Sequence, residues 1–147
     1  MKLTTRTRYA TRALLDLALQ ETKAPVLLKD IAARQQLSLM YLGQLIQPLI
    51  RAGIIRSIRG PCGGICLAKP PTEINIADIA NIFEGSTCPV ECVDHPELCP
   101  RSNTCVTRDI WTEVEKAIDG VLQAITLQDL IERQKGKTQT EVATYYI

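Results

Sequence analysis

Two short β-branched runs framing a glycine-rich turn constrain this chain more than any other feature in it. Ile54, Ile55 and Ile58 precede the turn RGPCGG at residues 59–64, and Ile65, Cys66 and Leu67 follow it. Such runs around glycines predict a tight β-hairpin. Everywhere else the apolar period is helical. From Thr7 to Leu19, Tyr9, Ala10, Ala13, Leu14, Leu17 and Ala18 mark one face, with Arg8 and Arg12 on the other. Pro25 breaks the chain, and Leu28, Ile31 and Ala32 open a second helix whose pattern stops near Gln36. Ser38 is placed to cap a third helix that carries Leu42, Leu45, Ile46, Leu49 and Ile50 and ends at Gly53. Pro48 inside that stripe predicts a bend or one missing hydrogen bond. The order helix, helix, turn, helix, hairpin predicts a mainly α fold with a small β-hairpin wing, a winged helix-turn-helix.

Residues 1–84 make up this first domain, closed by a short amphipathic helix over Asn75–Phe83. Residues 85–104 have no period and read as a cysteine-rich loop. A loop of that length in a small chain is expected to be built around something, such as a metal. Val106, Ile110, Trp111, Val114, Ala117, Ile118, Val121 and Leu122 then return at helical spacing. A stripe that apolar needs covering, and the same helix of a second copy, in a twofold homodimer, is the simplest cover. Folding back on its own domain is the alternative. Residues 105–133 are thus a dimerisation helix with a short terminal helix over Thr126–Ile131, and residues 134–147 are expected to be a flexible tail.

The net charge of +1 conceals a division. Residues 1–70 contain eleven Lys or Arg against Asp16, Glu21 and Asp30, whereas residues 71–147 contain six against thirteen acids. The first half therefore has the electrostatic footprint of a phosphate binder. The third helix offers Ser38, Met40, Tyr41 and Gln44 near its start, where a recognition helix meets base edges in the major groove of double-stranded DNA. Gln44 suits adenine, Met40 a thymine methyl, and Ser38 and Tyr41 a phosphate or either base. In the wing, Arg56 and Arg59 lie beside flexible glycines, and an arginine so placed can enter a minor groove. A solvated surface role is the alternative for each of these side chains taken singly.

No run approaches the ~18 apolar residues of a membrane span. The opening MKLTTRTRYA lacks a signal-type apolar stretch. A cytoplasmic protein without a membrane partner is expected, and there six cysteines point to metal or redox chemistry rather than disulfides. Cys88, Cys92, Cys99 and Cys105 are spaced unevenly, unlike the paired spacing of zinc knuckles. Uneven spacing on an irregular segment suits a larger iron-sulfur core, with structural zinc and free thiols as alternatives. Asp94, His95 and Glu97 lie among the cysteines as substitute donors. Cys66 is expected to alternate into the hairpin core, and Cys62 to lie exposed at its tip. His95 is the only histidine. With no further base for a cysteine nucleophile and no Walker or dinucleotide glycine motif, an enzyme is not expected.

The segments MKLTTRTRYATRALLDLA, LSLMYLGQLI, IRGPCGGICLAKP and CPRSNTCVTRDIW together resemble the winged-helix transcription regulators of the IscR, NsrR and CymR type, and the likeness spans nearly the whole chain. The resemblance is nearest to the cluster-binding members. It implies a homodimer built on the long helix near Trp111, a palindromic promoter site, and an iron-sulfur cluster held by Cys92, Cys99 and Cys105, 2Fe-2S in preference to 4Fe-4S. It also implies a regulator, a repressor first, that senses iron-sulfur, redox or nitric oxide status. Four positions depart from the pattern. Arg108 stands where a histidine ligand lies in IscR, and Arg8 where nitric oxide sensors carry an acid, so the fourth donor is open, with Cys88, His95 or another residue as its replacement. Gly43 replaces a glutamate that tunes DNA sequence preference, and Cys62 replaces the usual wing glycine.

Overall fold

Ser38 caps the third helix where the sequence places it, its Oγ accepting from the backbone N–H of Tyr41 at 3.1 Å. The computed structural model describes residues 3–20 and 24–145, with side chains as far as residue 140. The helices of the first domain are α1 (Thr5–Leu19), α2 (Leu28–Gln35), α3 (Leu39–Arg51) and α4 (Ile76–Glu84). Between α2 and α3 the chain turns through Gln36 in the left-handed region, φ 55°. Pro48 stands within α3 and has no N–H to give the helix ladder. Gly53, at φ 70°, ends that run with a backbone conformation that side chains rarely adopt.

The hairpin is an antiparallel pair, β1 (Ile55–Ile58) and β2 (Gly64–Leu67), with Ile55 opposite Leu67 and Arg56 opposite Cys66. Val26 pairs with Ile65 through two 2.8 Å backbone hydrogen bonds, which pins the hairpin to the chain before α2. This approach is close enough that a Cβ at Gly64 would lie 2.5 Å from the Val26 carbonyl oxygen. Leu14, Ile31, Leu42, Leu49, Ile55 and Ile79 are fully buried at the centre where α1–α4 and the hairpin meet. Burial of each such side chain contributes about 1.5–3 kcal/mol. Asp16, buried on α1, accepts from Arg34 at 2.6 and 3.0 Å and from Gln35 at 2.8 Å, so α2 is held to α1 by a satisfied charge.

Three expectations are corrected. Cys66 does not enter the hairpin core. The register puts Ile65 there, and Cys66, half-buried on the other face, receives the Arg56 Nε–H at 3.0 Å. Successive strand residues face opposite ways, so once Ile65 is inside Cys66 is not. The cysteine-rich segment is not featureless. It folds into the single turn α5 (Glu91–Asp94) and short 3₁₀ turns at Pro96–Leu98 and Ser102–Thr104, two cases in which proline or a small polar residue opens a turn without a hydrophobic period.

The last helix is long, not short. After α6 (Val106–Ala124), α7 covers Leu127–Tyr145, where a helix ending at Ile131 and a flexible tail were expected; residues 146 and 147 lie outside the described residues. Thr126 and Asp129 start it reciprocally: Thr126 N and Oγ1 donate to Asp129 Oδ2 at 2.7 and 2.8 Å, and Asp129 N donates back to Thr126 Oγ1 at 3.2 Å. From residue 132 to 140 the helix buries nothing, so no apolar stripe announced it, but it contains no proline and is rich in Gln, Glu, Lys and Arg. Leu127 and Ile131 are buried, and backbone bonds from Ile76 N to Ile125 O and from Leu127 N to Ile74 O fasten the α6–α7 junction to the start of α4.

Candidate nucleic-acid interface and cysteine segment

Capping by Ser38 leaves the next turns of α3 open on their outer side. Ser38, Met40 and Gln44 are exposed, Met40 at 77%. Tyr41 is half-buried, its ring edge-on to Tyr9 of α1 with centroids 6.1 Å apart, and Arg12 lies 5.3 Å above the Tyr9 ring. Two further residues belong to this surface and were missed. Gln47 and Arg51 are exposed and continue Met40 and Gln44 at helical spacing, the signal that would have found them. Arg59 is exposed at the end of the wing, and Arg56 faces the same side as Cys66. The surface is thus one polar and basic helix stripe beside an arginine-bearing hairpin.

The cysteine segment hangs between two polar clasps. At its start, Glu84 Oε1 accepts from the backbone N–H of Thr4 at 2.9 Å, from Thr4 Oγ1 at 2.8 Å and from Thr7 Oγ1, tying the end of α4 to the first turn of α1. Burial pushes the Glu84 carboxyl up, but the hydrogen bonds from Thr7 and Thr4 and the charge of Arg6 outweigh it and hold the group below its ordinary value. At its end, Arg108 on α6 donates from Nε to the carbonyl of Cys92 at 2.9 Å and from a guanidinium nitrogen to Ser102 O at 3.5 Å. The arginine that cannot ligate a metal therefore shapes the segment that holds the cysteines.

All six cysteines are free thiols, Cys62 exposed and the rest half-buried. Cys92 lies in α5, Cys99 follows a 3₁₀ turn, and Cys105 is the N-cap of α6. The Thr107 hydroxyl and then the Arg108 backbone N–H draw the Cys105 thiol below its ordinary value, favouring the thiolate that ligates metal. Burial pushes the Cys88 thiol up, and it donates to Val90 O at 3.1 Å. His95 is exposed and its Nδ1 sits 3.1 Å from Glu97. Among the described residues, the ligand atoms that lie within 4.8 Å of one another are those of Cys88, Asp94 and Glu115; Cys92, Cys99 and Cys105 do not form such a group of three.

α6 has two unlike faces. Its half-buried side carries Arg108, Thr112, Glu115 and Asp119, turned toward its own chain, where Thr87 Oγ1 meets Asp119 at 2.6 Å. The apolar side carries Val106, Ile110, Trp111, Val114 and Val121, all exposed. Leu3, Val114, Ala117, Ile118, Val121 and Leu122 line an open apolar cavity of about 430 Å³ on that side.

A helix-turn-helix with an open second helix, followed at once by a basic two-stranded hairpin, is a winged helix-turn-helix of the class found in DNA-binding transcription regulators. Its appended long helix narrows the class. A profile of the Rrf2 family, described as an iron-dependent transcriptional regulator, matches residues 3–133. The chain belongs to the Rrf2 family of transcriptional regulators. It is 46% identical over 131 residues to protein rrf2 of Nitratidesulfovibrio vulgaris strain Hildenborough, covering 89% of this chain and 87% of that one. It is 38% identical to the HTH-type transcriptional regulator IscR of Photorhabdus laumondii, covering 92% of this chain and 82% of that one. Among solved structures it resembles CymR, the global cysteine regulator of B. subtilis, with TM-score 0.77, 34% identity and coverage of 90% and 98%. T. potens IscR is similar too, at TM-score 0.74, 36% identity and coverage of 91% and 88%. No described helix is long and apolar enough to cross a membrane.

Proposed function

We propose that this regulator is iron-sulfur dependent, binds a palindromic promoter site as a homodimer, and represses in response to iron-sulfur, redox or nitric oxide status. The observation that carries the reading is the set of half-buried free thiols, Cys92, Cys99 and Cys105, on a segment that Arg108 ties to the start of α6. In kind these donors fit an iron-sulfur core, which takes thiolates from separate turns, and the Thr107 hydroxyl beside Cys105 draws that thiol below its ordinary value. When bound, the cluster supplies an iron centre whose presence follows iron and oxidant supply. The chain does the rest. The segment meets α1 through Glu84 and α6 through Arg108, so its conformation bears on the spacing of two recognition helices and two wings. A coupling of about 1–3 kcal/mol between the segment and DNA would be ordinary.

On the DNA side, Ser38, Met40, Tyr41, Gln44 and Arg59 are assigned as contacts, with Gln44 reading a base and Arg59 entering a minor groove. The exposed apolar side of α6 supports the dimer, since a stripe that includes Val106, Ile110 and Val121 at 74%, 55% and 59% exposure is costly in water. The likeness to CymR favours a second reading, a cluster-free regulator responsive to thiols or a metabolite.

The test is an absorbance spectrum with iron and sulfide analysis on protein purified without oxygen, wild type beside Cys92→Ala, followed by DNA affinity with and without the bound group. Visible colour that the variant loses, and an affinity that changes with it, is the expected result. An iron-free wild type that cannot be reconstituted would leave the second reading in place.

A further inference from the structure

Cys88, Asp94 and Glu115 come from three parts of the chain, the irregular stretch after α4, the turn α5 and the middle of α6. Their ligand atoms nevertheless lie within 4.8 Å of one another. Asp94 and Glu115 are like charges on either side of the Cys88 sulfur, and a cation bound among the three offsets their repulsion. Among the described residues no lysine or arginine forms a salt bridge with Asp94 or Glu115. The surroundings also orient the donors: Ser86 Oγ donates to Asp94 Oδ2 and accepts from the backbone N–H of Cys88 at 3.0 Å. Outer hydrogen bonds of this kind fix ligand direction in metal sites.

We propose that Cys88, Asp94 and Glu115 form a mononuclear divalent-metal site, separate from Cys92, Cys99 and Cys105, that takes zinc with one water as its fourth ligand. One thiolate and two carboxylates are borderline donors, which suits zinc better than the hard cations calcium and magnesium or an all-thiolate cluster. On binding, the Cys88 proton is released to solvent and the thiolate enters the coordination shell. The ion bridges the segment to Glu115 and so fastens the chain leaving the DNA-binding domain to α6, one turn from the Thr87–Asp119 hydrogen bond. Cys88 is thereby withdrawn from the donors available to the cluster. The inference does not depend on the cluster reading.

The experiment is titration of the full-length Cys92→Ala chain with Co²⁺ under anaerobic conditions, followed by back-titration with Zn²⁺. The expected result is one Co²⁺ per chain with a single-thiolate charge-transfer band, displaced by Zn²⁺. Adding Cys88→Ser removes the band, and adding Glu115→Gln or Asp94→Asn weakens binding at least about tenfold. Glu115→Gln keeps the shape of the side chain, so it decides the matter if Cys88→Ser fails to fold. Equal cobalt binding in the presence and absence of Glu115→Gln overturns the proposal. So does bleaching of the iron-sulfur colour by Cys88→Ser in the otherwise wild-type chain, because that places Cys88 in the cluster. A colourless, iron-free wild type with the cobalt site intact would instead sink the cluster reading and leave this site standing.

Discussion

The Arg108 guanidinium on α6 donates to the backbone carbonyl of Cys92, 16 residues earlier, at 2.9 Å. The bond closes residues 92–108 into a loop that contains all three of the expected cluster thiols. A charged donor on a half-buried carbonyl stabilises by about 1.5–3 kcal/mol, less here because the guanidinium is partly solvated.

Arg108→Ala should therefore loosen the segment without removing any ligand. The expected outcome is a bound iron-sulfur group that decays several-fold faster in air than in the wild type, measured as loss of visible absorbance, with Arg108→Lys intermediate. Identical decay in all three proteins would show that the bond does not hold the segment.

A second prediction concerns the open face of α6. Val114 and Val121 line the open apolar cavity together with Leu3 and remain exposed. If a second copy covers them, Val114→Glu with Val121→Glu buries two unpaired carboxylates and should shift sedimentation from dimer to monomer. Helix content should stay near that of the wild type, because neither side chain is buried in its own chain. A variant that remains dimeric would move the interface elsewhere.

The hairpin, the first four helices and the long α6 were legible in the sequence because each buries a periodic face. Ser38 at its cap and Gly53 at φ 70° carried enough local chemistry to set the limits of α3. What was not legible lacked a period. Residues 132–140 of α7 bury nothing and rest on intrinsic propensity, which pattern reading cannot see. The chain at Cys92 and Ser102 is held by Arg108, whose role is visible only once α6 returns past them. Glu84 gave no signal either, since its partners Thr4 and Thr7 lie about eighty residues away. Cys66 was misplaced by one position, an error the two-residue period of a strand converts into the opposite face.

Glu84 gives a pH prediction. Its folded carboxyl titrates below its ordinary value, so the stability it contributes is present above the unfolded value of about 4.3 and is lost as pH falls through the folded one. The gap in unfolding midpoint between wild type and Glu84→Gln should be constant from about pH 6 to 8 and close below about pH 4. Denaturant unfolding at several pH values measures it. A gap that persists into acid would mean that the Thr4 and Thr7 contacts do not depend on the carboxylate charge.

The last prediction separates base reading from phosphate binding on the proposed DNA surface. Gln44 is exposed on the outer stripe of α3 and Arg59 on the wing, so they should fail in different ways when truncated. Losing a bidentate base contact costs about 1–3 kcal/mol and falls mainly on the preferred sequence, with little change in salt dependence. Gln44→Ala should thus narrow the difference between a specific and a scrambled duplex. Arg59→Ala should weaken both duplexes and flatten the plot of log affinity against log salt by about one counterion if Arg59 neutralises a phosphate or lies in a minor groove. Fluorescence anisotropy from about 50 to 200 mM salt reads both effects. Met40 and Gln47 flank Gln44 at helical spacing and are exposed with it, so Gln47→Ala should follow the Gln44 pattern if the whole stripe lies in the groove. If Gln47→Ala is silent while Gln44→Ala is not, only the first turns of α3 enter, and Arg51 at its far end lies clear of the DNA.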